Sequence, residues 1–129
     1  MDFWIFMLIM ALLIPTSMIV IGAIYVKRPP KNINIIYGYR TTRSMKSQEA
    51  WEFANRLIGK YWLIIGLIMI VPFGLSMLFV LNKSDDIIGI FGAILLLVEI
   101  IPLEIPIFFV EKALKKNFDE NGNKINPMD

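Results

Sequence analysis

Neither cysteine nor histidine occurs among the 129 residues of this chain. Without cysteine there is no disulfide framework, no thiolate nucleophile and no redox compartment to infer. Without histidine the commonest general base and the commonest metal ligand are both missing. Charge is scarce too. Asp, Glu, Lys and Arg make up 19% of the chain against 57% hydrophobic residues, where an average soluble domain carries about 25% charged residues. The net charge of +2 says little by itself; the placement of the charges says more.

What the chain does have is length in its apolar runs. Phe3–Val26, Tyr61–Leu81 and Ile87–Val110 make up most of it, and the first two hold no ionisable side chain except tyrosine. Each run reaches the roughly 20 residues that cross about 30 Å of hydrocarbon. A soluble domain this small has too little polar chain to cover three such helices. The expected fold class is therefore all-α integral membrane, a single domain over 1–129. It has three transmembrane helices (3–26, 61–81 and 87–110) and an amphipathic interfacial helix between the first and second. A cleaved signal peptide is not expected at the N-terminus. Asp2 stands where a positive n-region belongs, and the run is about twice the usual apolar length.

Basic residues set the expected orientation. Segment 27–60 holds Lys27, Arg28, Lys31, Arg40, Arg43, Lys46, Arg56 and Lys60 against Glu49 and Glu52. The tail 111–129 adds Lys112, Lys115, Lys116 and Lys124, whereas Asn82–Asp86 has one lysine and two aspartates. Lysine and arginine in short loops stay cytoplasmic. Three spans put the loop and the tail on the same side, and both are basic. The expectation is N-terminus outside, C-terminus inside, in the cytoplasmic (inner) membrane, with the second and third spans forming an antiparallel hairpin.

Within the spans, Pro15, Pro72, Pro102 and Pro106 imply gentle kinks, or a cavity opened between helices. Gly89 and Ala93 form a small-x-x-x-small pair suited to close packing within the hairpin. The third span carries Glu99 and Glu104. A carboxylate in hydrocarbon costs several kcal/mol unless protonated or paired, so intramembrane acids are functional candidates. Five residues apart, the two point about 140° away from each other on a regular helix. Arg40 or Arg43, dipping from the loop, are the expected cationic partners.

The loop has the most chemical character. Pro29-Pro30 stops the first helix. Ser47 reads as an N-cap with Gln48 and Glu49 behind it. The helix it opens gathers Ala50, Trp51, Ala54, Leu57 and Ile58 on one side, the pattern of an interfacial segment. Between them, Gly38 permits positive-φ backbone, Tyr39 offers a ring and a hydroxyl, and Arg40 and Arg43 carry forks that match carboxylates and phosphates. From composition alone, the favoured reading is a basic segment held to lipid headgroups.

Asn34, Gly38-Tyr39-Arg40-Thr41, then Arg43, Ser44-Met45-Lys46, Trp51 and Ala54-Asn55, placed ahead of a transmembrane helix, resemble the SdpI-type membrane immunity family. The chain looks like the shorter, stand-alone form of that domain, since longer members carry an additional N-terminal membrane portion. The resemblance covers the first span through the second. It implies a non-enzymatic protein of a Gram-positive membrane that confers resistance to a secreted peptide toxin or bacteriocin. In the long form it also implies signalling, by recruiting a cytoplasmic repressor to the membrane. The partners so implied are the bilayer, a peptide toxin and a soluble repressor, with no direct nucleic-acid contact and no cofactor. Two other readings stay open: a small proton-coupled exporter using Glu99, which would need a homo-oligomer to enclose a path, and an accessory subunit of a larger membrane complex. The tail ends in a turn or frayed segment around Asn117–Asn123. It lacks the spacing and terminal glutamate of a calcium loop, so no metal is expected there.

Overall fold

The structure, a computed structural model, describes residues 1–125; the last four positions of the expected tail, 126–129, lie outside the described residues. Helix α1 spans Asp2–Lys27, α2 Gln48–Ser76 and α3 Asp85–Asn117, with a 3-10 turn at Met77–Val80. All three helices are long and apolar enough to cross a membrane, which is the architecture of a multi-pass membrane protein. Loop 28–47 and the tail lie at one end of the bundle, where Tyr39 and Thr41 touch Glu111. The turn joining α2 to α3 lies at the other. There Asn82 takes φ 64°, a conformation its short polar side chain tolerates. Ser84 caps α3 by accepting the Ile87 N–H, with Asp85 and Asp86 in the first turn, where negative charge suits the helix dipole.

The expected interfacial helix does not exist as a separate element. Residues 48–60 are helical, but α2 runs through them without a break into the span, because nothing between Gly59 and Trp62 stops a helix. The apolar side of this stretch is not laid on lipid either. Ala50, Ala54 and Ile58 are fully buried and pack with Tyr39, Val110, Leu114 and Phe118. Amphipathicity here marks contact with the protein's own loop and tail.

Close approach of α1 to α2 holds the bundle together. A Cβ added to Gly22 would lie 2.6 Å from both the Gly59 carbonyl oxygen and the Leu63 nitrogen. One added to Gly66 would lie 2.9 Å from the Pro15 carbonyl oxygen. Only glycine lets two backbones meet at that separation. On α1 the buried residues Met7, Ala11, Pro15, Met18 and Gly22 recur every three or four positions, one stripe of a helix. Gly92 receives Met7, whereas a Cβ at Gly89 would meet the Phe3 ring at an ordinary 3.5 Å and Ala93 is exposed. The pair read from the sequence is therefore not the tight contact. Trp4 Nε1 donates to the Met77 carbonyl at 2.8 Å, pinning the start of α1 to the end of α2.

The four prolines of the spans, Pro15, Pro72, Pro102 and Pro106, lie inside continuous helices. A small crevice of about 160 Å³ opens among Leu13, Ser17 and Ile21 of α1, Trp62 of α2 and Leu103 of α3. Outward, Leu67, Ile68, Ile90, Leu97 and Phe108 are more than half exposed, the surface a hydrocarbon solvent requires and water would not tolerate.

Candidate functional site

The loop between α1 and α2 folds into a fastened platform over the end of the bundle. Gly38 has φ +105°, and a side chain there would press on the Trp51 ring at 3.0 Å and Asn55 Oδ1 at 3.1 Å, so both backbone and space call for glycine. This bend delivers the Tyr39 N–H to Asn55 Oδ1 at 2.6 Å. Asn55 Nδ2 in turn donates to the Trp51 carbonyl at 2.9 Å. The Trp51 indole, wholly buried, donates to the Pro30 carbonyl at 2.6 Å. Asn55 and Trp51 thus satisfy backbone groups of the loop that would otherwise be buried unpaired.

Ser44 and Thr41 close the next turn. The Ser44 hydroxyl, also wholly buried, accepts the Thr41 N–H at 2.9 Å and lies 3.0 Å from the Tyr39 carbonyl to which it donates. The Ser44 N–H donates to Thr41 Oγ1 at 3.2 Å, and half-buried Met45 donates its N–H to the Thr41 carbonyl. Asn34 stands apart from this cluster. Its Oδ1 accepts the Ile36 and Tyr37 N–H groups at 2.9 and 2.8 Å, a local turn of the kind asparagine favours.

Glu111 is the residue that ties this platform to the spans, and sequence reading passed over it as the first residue of the tail. Its Oε2 accepts from the Tyr39 hydroxyl at 2.5 Å and from the Thr41 hydroxyl at 2.8 Å. Burial first, then the Glu111 hydrogen bond and charge, raise the Tyr39 phenol above its ordinary pKa, so the hydroxyl stays a donor. An acid at the last apolar turn of a span was the available signal. The tail joins too. The Ser47 hydroxyl, which caps α2 by accepting the Ala50 N–H, donates to the Gly122 carbonyl at 2.6 Å. Phe118 packs edge-on against Phe53 at 5.4 Å. Asn117–Asn123 is therefore an ordered turn, with Asp119 Oδ1 accepting the Asn121 and Asn123 N–H groups.

Of the motif side chains, Arg40, Arg43 and Lys46 are the ones left exposed. With Thr42, Lys46, Glu111, Asp119 and Glu120 they border an open groove of about 700 Å³. Neither arginine pairs with an intramembrane acid. Among the described residues the ion pair present is Arg56–Glu52 at 3.3 Å, because the platform holds the arginines at the end of the bundle. Glu99 lies near the middle of α3, between the level where Met7 meets Gly92 and the level where Trp62 donates to the Leu103 carbonyl. It is wholly buried and both carboxyl oxygens lack a hydrogen-bond partner. Glu104 is exposed, so the two acids do occupy different faces. Replacing Glu99 by leucine should raise the unfolding midpoint in detergent, a gain of about 1–2 kcal/mol from removing an unsatisfied buried polar group. Glu99→Gln, which keeps such a group, should give no gain; a lower midpoint for the leucine variant would mean that the carboxyl is partnered.

A family model described as the SdpI/YfhL protein family matches residues 31–110. The "Uncharacterized protein YfhL" of Bacillus subtilis (strain 168) is 44% identical over 52 residues, 40% of this chain and 47% of that protein. The match thus spans about half the length of that relative. No solved structure matches. The matched stretch runs from the start of the platform to the last apolar turn of α3, and the chain belongs to the SdpI/YfhL family.

Proposed function

We propose that this SdpI/YfhL-family chain is a membrane immunity protein, protecting the cell that makes it from a membrane-active peptide toxin or bacteriocin without catalysing a reaction. Family membership carries the reading. The fold is compatible with it. The residues of the motif are spent on holding a loop rigid, and what that loop presents is an arginine-bearing groove rather than an arrangement of acid, base and nucleophile. The abundance of Lys and Arg at this end favours its placement at the cytoplasmic face of the membrane. There the groove would dock a soluble partner such as a repressor, while the opposite end meets toxin from outside. The exporter reading is less well served, since the crevice beside Leu103 is small and, apart from Ser17, apolar.

Expression in a toxin-sensitive host, scored for survival across a panel of peptide toxins, tests the proposal. Protection against at least one toxin is expected. Arg40→Gln combined with Arg43→Gln should abolish it at unchanged membrane abundance, because both side chains are exposed and the fold does not depend on them. No protection against any toxin would count against immunity. Protection that survives the double substitution would remove the groove from it. Trp51 is unsuited to this test, being a structural member of the platform.

A further inference from the structure

A second groove, of about 550 Å³, lies beside the first but faces sideways along α3. Its floor is Ile107 and Phe108, and Phe108 is 80% exposed. Lys112 and Lys115 follow on the same face at helical spacing, and Arg43 leans across from the loop to complete the rim. The apolar run of α3 ends at Val110, so the cations stand one turn beyond hydrocarbon, at the depth of lipid phosphates.

We infer that this groove is a binding site for one anionic phospholipid of the adjoining leaflet. Its phosphate is held by Arg43, Lys112 and Lys115, and its acyl chain lies along Ile107 and Phe108. Charge complementarity carries the argument. Among the described residues none of the three cations has a carboxylate within ion-pair distance. Glu111, half-buried at the edge of the groove, has its Oε2 engaged by the Tyr39 and Thr41 hydroxyls. Glu104 sits at the far end, about 12 Å along the helix axis from Lys112, below the phosphate position. An apolar wall surmounted by unpaired cations repeats the order of a phospholipid, chain then phosphate. A guanidinium fork with two ammonium groups suits a phosphate monoanion. The site shares Arg43 with the first groove, but its assignment to a lipid does not depend on the immunity reading.

The test is native mass spectrometry of the purified chain from mixed micelles holding equal phosphatidylglycerol and phosphatidylcholine. Retention of phosphatidylglycerol over phosphatidylcholine is expected, falling by roughly fivefold for each cation removed as Arg43→Gln, Lys112→Gln or Lys115→Gln. A control triple, Lys27→Gln, Lys31→Gln and Lys60→Gln, removes as much charge at the same end of the bundle but outside the groove, and should keep the preference. Phe108→Ala should weaken retention of the lipid with no change in charge. Equal loss in the control triple and in the combined Arg43→Gln, Lys112→Gln, Lys115→Gln variant would overturn the site in favour of diffuse attraction to basic residues. Displacement of the lipid by millimolar inorganic phosphate, or a dimer that masks this face, would overturn it as well.

Discussion

Replacing Trp51 by alanine will release the loop from the bundle at a cost of about 3–5 kcal/mol, the usual range for a large aromatic removed from a packed interior. The side chain is wholly buried, its ring abuts Gly38 and its indole N–H holds the Pro30 carbonyl. Three consequences therefore coincide: a cavity, a lost hydrogen bond and a positive-φ turn with nothing to lean on. The measurement is the unfolding midpoint in detergent together with trypsin cleavage at Arg40, Arg43 and Lys46, which should accelerate. Trp51→Phe separates the contributions, since it keeps most of the volume and loses the hydrogen bond, at about 0.5–1.5 kcal/mol plus the penalty of an unpaired carbonyl. A midpoint unchanged in the alanine variant would show that the loop is fastened elsewhere.

The second large effect is smaller in atoms and lies within the spans. Gly22→Ala adds one methyl group, but it would meet the Gly59 carbonyl oxygen and the Leu63 nitrogen at 2.6 Å. Backbone atoms cannot rotate aside as a side chain can, so α1 and α2 must separate. The expected cost is at or beyond the upper end of the roughly 1–3 kcal/mol typical of overpacking. Gly89→Ala is the matched control, because its new methyl group would sit at ordinary contact distance from the Phe3 ring, 3.5 Å. Thermal unfolding of the two variants in one detergent decides the matter. Equal midpoints would mean that the helices are not held backbone to backbone.

The contrast between these glycines shows where the sequence was readable. Long apolar runs dictate helices and bilayer residence without reference to any partner, so the three spans and their hairpin were legible. Ser47, two prolines and Asn82–Asp86 mark ends and turns by local chemistry, and these too were legible. Which glycine of a helix meets which of another depends on the rotation of both helices, and that is set by all contacts together. Gly89 and Ala93 were spaced correctly, but Gly89 meets the Phe3 ring of α1 at ordinary contact distance and Ala93 is exposed. The stretch from Ala50 to Ile58 has the periodicity of a surface helix, but periodicity cannot say whether the apolar side meets lipid or protein; the end of the third span and the tail, through Val110, Leu114 and Phe118, provided the answer.

The candidate site divides along the same line. Gly38, Tyr39, Trp51 and Asn55 stand out as a pattern, and the geometry assigns them to one hydrogen-bonded cluster. Arg40 and Arg43 were expected beside Glu99 or Glu104 on the ground that a buried acid needs a cation. The platform overrides that need by fixing both arginines at the bundle's end, and Glu99 is left without a partner. Glu111 escaped notice because a glutamate at the edge of a span looks like ordinary solvated charge. Its part is visible only when Tyr39 and Thr41, some seventy residues earlier, arrive beside it.

One carboxylate oxygen of Glu111 receives both the Tyr39 and the Thr41 hydroxyls, which adds a polar clasp to the packing of Tyr39 on Val110 and Leu114 of α3. Loss of that one side chain would therefore leave two hydroxyls of the loop without their shared acceptor at once.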